Sequence, residues 1–139
     1  MNTEKTKIET EVQVMYYDTD AGGVVHNIVY LRFIEYARTL LAIQLGLDFE
    51  QIRRTNIHPV VVRTEIDYRR PGILGDHLRI SGKISEVGGA RFWVDFSVER
   101  IADATLLATC RQALALVQMP EGRVLRLPKG FPDSVGLIV

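Results

Sequence analysis

The sequence predicts an α+β fold in which one long helix is wrapped by a five-stranded antiparallel sheet. Three patterns point to it. Near the start, apolar and polar residues alternate with a period of two; between Tyr30 and Leu45 apolar residues recur at steps of three and four; after Pro59 the two-residue pattern returns in runs broken by turn residues. A helix with one apolar stripe and a sheet with one apolar face each need a partner, and laying one on the other satisfies both. The outer sheet face is then left for a partner subunit.

The first strand is expected from Ile8 to Tyr17, with Ile8, Thr10, Val12, Val14 and Tyr16 on one face. Asp18 to Gly23 interrupts it with turn chemistry, where Gly22 and Gly23 allow a positive φ or a close backbone approach. Tyr30, Phe33, Ile34, Ala37, Leu41, Gln44 and Leu45 then form a helical stripe with one polar intruder, and Gly46 is the expected stop. Such a helix is roughly 27–30 Å long. A short helix near Asp48–Thr55 takes Asp48 as its cap.

Val60–Tyr68 reads as a strand ending in the turn Arg69-Arg70-Pro71-Gly72. Leu78, Ile80 and Ile84 alternate with Arg79, Ser81 and Lys83, and Gly88-Gly89 makes the next hairpin. Phe92, Val94, Phe96 and Val98 share the face of a following strand. A turn near Ala102–Ala104 leads into Leu106–Met119, read as a strand although LLATCRQALAL also suits a helix by composition. The tail from Pro120 carries at most one more short strand, and residues 1–7 and roughly 129–139 are expected at the periphery of a single domain.

Composition narrows the function. A chain of 139 residues, 47% hydrophobic, can bury a core without metal or disulfide staples. Lys+Arg and Asp+Glu stand at 17 each, so no strong field recruits nucleic acid or an anionic membrane. One cysteine, Cys110, excludes an internal disulfide framework and fits a cytoplasmic protein. The N-terminal MNTEKTKIETE lacks the apolar core of a signal peptide, and no apolar run approaches the ~18 residues of a membrane span. Three scattered histidines give no metal signal, and no cofactor is implied.

The chemistry concentrates between Tyr17 and Arg38. Asp18 and Asp20, two apart at a strand end, would point to opposite sides in extended geometry, one into a pocket and one into turn hydrogen bonds. A carboxylate aimed at a carbonyl attacks it or activates a water. The unpaired N–H groups of a helix starting near His26-Asn27 suit a developing oxyanion. Together these outline hydrolysis of an activated acyl group. The bland alternative is an ordinary turn and N-cap.

The residues Tyr17-Asp18-Thr19-Asp20, Gly22-Gly23-Val24-Val25, Tyr30-Leu31, Glu35 and Ala37-Arg38 add a further signal. With Pro59-Val60-Val61, Tyr68, Pro71, Gly75-Asp76 and Leu78, they resemble the 4-hydroxybenzoyl-CoA thioesterase-like branch of the hotdog-fold superfamily, particularly its acyl-CoA thioesterases of the Tol–Pal-associated type. The resemblance runs over about residues 8–128. It implies a hotdog fold, active sites at a homodimer interface, pairing of dimers into homotetramers, and an acyl-CoA or acyl-carrier-protein substrate. It makes Asp20 the catalytic carboxylate, as nucleophile or general base, and sets the backbone N–H at Asn27 to polarise the thioester carbonyl.

Several of its relatives carry His where this chain has Asn27; asparagine donates a hydrogen bond but transfers no proton at neutral pH. Neighbouring His26 either substitutes for it or caps the helix. Gly23 and Tyr30 fall among the expected substrate contacts. His58 either edges the pocket or lies at the surface. In the hydroxybenzoyl relative, basic residues of the hairpin between the third and fourth strands meet CoA phosphates. Here that hairpin leaves only Arg91, with Arg69 and Arg70 as substitutes or as ordinary solvated charges. Glu35 is expected to pair with Arg38, and His77 to be exposed. Two other functions stay open: a hotdog hydratase or dehydratase, whose lineage places a His five residues after the Asp, and a non-catalytic acyl-thioester-binding module.

Overall fold

The helix α1 (Asn27–Leu45) lies in the curve of one antiparallel sheet in the computed structural model, which describes residues 5–133. Chain order is β1 (Lys7–Gln13), a 3₁₀ turn (Tyr16–Asp18), α1, α2 (Phe49–Thr55), β2 (Ile57–Tyr68), β3 (His77–Val87), β4 (Phe92–Arg100), β5 (Thr105–Gln118) and the short β6 (Arg123–Val124). Spatial order is β1-β3-β4-β5-β2, with β6 added to the end of β5. Among the described residues the sheet therefore has the five expected strands and a sixth, two-residue one. Gly46 ends α1 in the left-handed region at φ 106°, and Asp48 caps α2 by accepting from the Gln51 N–H at 2.9 Å.

The core follows the predicted stripe. Tyr30, Phe33, Ile34, Ala37, Leu41 and Leu45 are buried, whereas Gln44 is exposed and donates to the carbonyls of Lys5 and Lys7 beside β1. Leu78, Ile80 and Ile84 of β3 and Phe92, Val94, Phe96 and Val98 of β4 face the helix. The stretch expected as strand from Leu106 to Met119 forms β5 as far as Gln118, because β2 and β4 pair with it on both sides and bury every residue from Gln112 to Val117. Gly82 lies so close to Phe96 that an added Cβ would come within 2.7 Å of the ring. Phe131, in the segment expected at the periphery, is buried against Phe92 at 4.8 Å between centroids; residues 1–4 and 134–139 lie outside the described residues.

β2 is an edge strand, and its pairing with β5 shifts register between Val61 and Arg63. α1 leans on β1 and β3, on the side away from β2. Among the described residues, no helix is long and apolar enough to cross a membrane.

The first strand departs from expectation: it ends at Gln13, and Tyr16 and Tyr17 are 83% and 78% exposed instead of continuing the alternation. The cause is Asp18. Its carboxylate is only 2% exposed and turns the chain back on itself: Oδ2 accepts from the Met15 N–H at 2.9 Å while the Asp18 N–H donates to the Met15 carbonyl at 3.0 Å. Oδ1 meets Arg32 Nη2 of α1 at 3.3 Å. Asp18 and Asp20 thus are not opposite faces of one strand end.

The Arg32 side chain is 59% exposed, so its share of the pair is screened and worth about 0–1 kcal/mol, whereas stranding the Met15 N–H costs about 1–3 kcal/mol. Asp18→Ala is therefore expected to lower the urea midpoint markedly and Arg32→Ala only slightly, both with unchanged m. Equal losses in the two variants would assign the stability to the ion pair instead.

Candidate active site

Between the 3₁₀ turn and α1 the chain forms a small interlocked loop. Thr19 and Val25 bridge, the Asp20 N–H donates to the Val24 carbonyl at 2.9 Å, and the His26 N–H donates to the Asp18 carbonyl at 2.9 Å. Gly23 sits at the turn with φ 79°, a region closed to most side chains. The segment after β2 locks onto this loop: the Val25 N–H donates to the Gly72 carbonyl at 2.8 Å and Val24 bridges Ile73. That second segment is itself clamped by Asp76, whose Oδ2 accepts from the Ile73 N–H and from Arg100 Nη1, both at 3.0 Å.

The helix start is left partly open. Ile28 N–H donates to His26 Nδ1 at 3.2 Å and Val29 N–H to the His26 carbonyl at 2.9 Å, so His26 is the N-cap. Among the described residues the Asn27 N–H has no acceptor. Asn27 lines a recess of about 300 Å³ together with Val25, Tyr30, Tyr68, Arg69, Arg70 and Pro71. Tyr68, half-exposed, donates its hydroxyl to the Asn27 carbonyl at 3.1 Å and packs edge-on to Tyr30 at 5.6 Å. The Tyr30 oxygen accepts from the Gly72 N–H at 2.9 Å. Burial raises the Tyr30 pKa above the ordinary phenol value, only partly offset by that N–H, so the hydroxyl keeps its proton at neutral pH.

The predicted site residues fall into three groups. Asn27, Tyr30, Arg69 and Arg70 line one recess. Asp20, His26 and Gly23 belong to the loop that delivers the helix start; the Asp20 side chain is exposed, with Oδ1 accepting from the Gly22 N–H at 2.8 Å and, among the described residues, no partner for Oδ2. His58 and Arg91 are elsewhere in the chain. His58 is the second residue of β2, at the end opposite Tyr68 and about 33 Å of extended strand away, and pairs through Nε2 with Asn56 Oδ1 at 2.9 Å. Arg91 precedes Phe92, which pairs with Leu114, whereas the Tyr68 row pairs with Ala108; about 20 Å of strand separate them. Glu35 pairs with Arg38 at 3.5 Å and His77 is exposed, both as expected.

Sequence reasoning passed over Gly72 and the part played by Tyr68. A Cβ on Gly72 would lie 3.0 Å from Val25 and 3.2 Å from Leu107, so glycine lets the backbone reach the Tyr30 hydroxyl. The adjacent Pro71 marked a turn; nothing local marked its tertiary contact. A larger open concavity of about 720 Å³ on β1, β3 and β4 adjoins no helix N-terminus. No group of His, Cys, Asp and Glu among the described residues is placed to hold a metal ion.

Residues 14–135 match the thioesterase-like superfamily. The chain is 33% identical over 119 residues to the acyl-CoA thioesterase YbgC of Haemophilus influenzae, covering 85% of this chain and 86% of that one. It is 31% identical over 137 residues to the acyl-CoA thioester hydrolase YbgC of Escherichia coli O6:H1, covering 97% and 96%. Its fold superposes on a 1,4-dihydroxy-2-naphthoyl-CoA thioesterase from Synechocystis with a TM-score of 0.80 at 25% identity, over 95% of this chain and 96% of the other.

Cys110 lies on the inward face of β5 two residues beyond Ala108, and burial pushes its thiol up to about 11 from 9.0, with nearby Arg38 opposing. Native protein at pH 8 is expected to resist iodoacetamide until it unfolds, and rapid native labelling would contradict this burial. The folded state holds a proton that the unfolded chain releases near 9.0, so stability from this thiol is complete below that pH and is lost as pH climbs toward about 11.

Proposed function

Because the chain belongs to the thioesterase-like superfamily, we propose that it hydrolyses acyl-CoA thioesters, with Asp20 as the acting carboxylate and the Asn27 N–H as the oxyanion donor. The observation that carries this reading is the unpaired amide of Asn27, a residue that lines a recess, on a helix delivered by the loop that holds Asp20. The two relatives named as acyl-CoA thioester hydrolases support the reaction class.

The thioester carbonyl oxygen takes the Asn27 N–H, whose alignment with the axis of a 19-residue helix favours negative charge there. In the general-base route, Asp20 Oδ2 removes a proton from water as it attacks the carbonyl carbon. The tetrahedral oxyanion rests on the Asn27 N–H; its collapse breaks the C–S bond, and protonated Asp20 returns the proton to the leaving thiolate. In the nucleophilic route Asp20 attacks directly, releases the thiolate as a mixed anhydride forms, and water then cleaves the anhydride. The Asn27 side chain donates a hydrogen bond but moves no proton, and His26 Nδ1 is committed to the helix cap. Arg69 and Arg70 on the recess rim supply cations for the phosphates of the carrier, CoA in preference to acyl carrier protein.

His58 and Arg91 reach such a site only from a second copy. The free edge of β2, 12 residues long with Val60 and Val62 exposed, offers a surface for one. A homodimer, alone or paired into a tetramer, completes the proposal.

Wild type and Asp20→Ala are to be compared on a panel of aliphatic and aryl acyl-CoAs. The variant is expected to lose about 10²–10⁴-fold in kcat/KM, and equal rates would remove Asp20 from the mechanism. A single turnover in H₂¹⁸O labels Asp20 when it acts as nucleophile and water cleaves the anhydride at the Asp20 carbonyl, whereas the general-base route puts the solvent oxygen in the product acid alone. Saturable binding of every thioester without turnover would make the protein a binding module.

A further inference from the structure

β2 ends the sheet as a free edge, and its 12 residues carry one surplus residue, Val62, at their middle. Ile57, Pro59 and Val61 before it and Thr64, Ile66 and Tyr68 after it look toward the helix side; the other six look outward. Counted inward from Ile57 or from Tyr68, the order of faces is the same, so the strand is a palindrome centred between Val62 and Arg63. All six helix-side residues pair with even-numbered residues of β5, so the hydrogen bonds keep one phase on both sides of Val62. The donors and acceptors left free along the edge follow the same palindrome.

An edge of that length with Val60 and Val62 exposed calls for a covering strand. A second copy added antiparallel, about a two-fold axis between Val62 and Arg63, opposes every residue to one of the same face. Moving the axis by one residue sets an inward side chain against an outward one at the centre. Moving it by half a residue does so along almost the whole strand. In the matched register Ile57 meets the partner's Tyr68, Pro59 meets the partner's Ile66, and no like charges oppose. On the outer face His58 meets the partner's Asp67, a residue whose carboxylate, among the described residues, has no hydrogen-bond or ion-pair partner in its own chain. His58 engages Asn56 through Nε2, which leaves Nδ1 for that carboxylate.

We propose that Val62 is a register pin: it lets two copies join β2 to β2 only about the axis beside it, setting each His58 against the partner's Asp67 and each Tyr68 against the partner's Ile57. Opposed side chains on neighbouring antiparallel strands have Cβ atoms about 4.5–5.5 Å apart, and diagonal ones lie about 7–8 Å apart. Tyr68, half-exposed in a single chain, thereby gains the partner's Ile57 at its open flank and the partner's Pro59 on the diagonal. The recess that Tyr68 shares with Asn27 acquires a wall that one copy lacks. The pairing rests on β2 alone; only the use of the wall rests on the thioesterase reading.

Pairs of cysteines read the register directly. After oxidation of the folded protein, Val60→Cys/Glu65→Cys is expected to give a covalent dimer on non-reducing gels. Val60→Cys/Arg63→Cys and Val60→Cys/Asp67→Cys, each one step out of register, are expected to stay largely uncoupled. Preferential coupling of either offset pair overturns the proposal, as does a wild-type monomer by sedimentation at micromolar concentration. Charge exchange reads the same contact without oxidation. His58→Asp is expected to weaken the dimer about tenfold, because the axis makes the contact twice, and adding Asp67→Lys is expected to restore it. No rescue by the second substitution overturns the pairing of these side chains. Turnover of acyl-CoA is then followed as the wild-type dimer is diluted through its dissociation. A fall in kcat/KM per chain is expected, and an undiminished rate in the monomer overturns the shared wall. A dimer in the matched register that hydrolyses no acyl-CoA sinks the thioesterase reading and leaves the register standing.

Discussion

A helix laid in a sheet leaves its first amides without intrahelical acceptors at one end of the core, and each N–H needs an acceptor from elsewhere. The segment from Thr19 to Val29 is built around that constraint. His26 serves two of the amides, one through its imidazole and one through its carbonyl, and the amide of Asn27 is left over. Because the loop ahead of the helix is bridged to itself and to Gly72 and Ile73, the leftover donor is held in a fixed direction. A preorganised dipole needs no rearrangement when charge develops beside it.

The two aspartates of the loop divide structural and chemical work. Asp18 is enclosed and saturated by Met15 and Arg32, and it fixes the path by which the chain leaves β1. Asp20 is exposed and keeps one oxygen unengaged among the described residues. A carboxylate with both oxygens committed would be poorly placed to take a proton; one held only at its base by the Gly22 amide stays available. The far end of the arrangement is anchored by Arg100, which ties Asp76 to the Pro71 carbonyl and so braces the segment against which the loop rests.

Much of this was legible in the chain itself. The stripe from Tyr30 to Leu45 set the helix and its buried face, because helical spacing reports directly on which side meets the core. Alternation in β3 and β4 fixed their inward residues for the same reason. Asn27, Tyr30, Arg69 and Arg70 emerged as neighbours of one recess because they flank the helix start and the turn after β2. What stayed hidden depends on distant partners. The end of β1 is set by a hydrogen bond from Asp18 to Met15, not by the alternation, which runs on past it. Gly72 reads as turn punctuation until Val25 and Leu107 are seen pressing on it. The hydrogen bonds that Arg38 donates to Gln112 and Gln112 donates to Thr64 join α1, β5 and β2, far apart in sequence, and no local pattern announces them.

The register shift in β2 has its own consequence. Ile57, Pro59 and Val61 sit opposite Gln118, Leu116 and Leu114, and past the shift Thr64, Ile66 and Tyr68 sit opposite Gln112, Cys110 and Ala108. Odd positions face the helix before Val62 and even positions after it. One surplus residue thus exchanges the two sides of the strand halfway along. Had the pairing run on unbroken, Arg63, Glu65 and Asp67 would be turned into the interior and the tyrosine that meets Asn27 turned out to solvent. The parity of a single strand decides which half of its residues the helix ever sees.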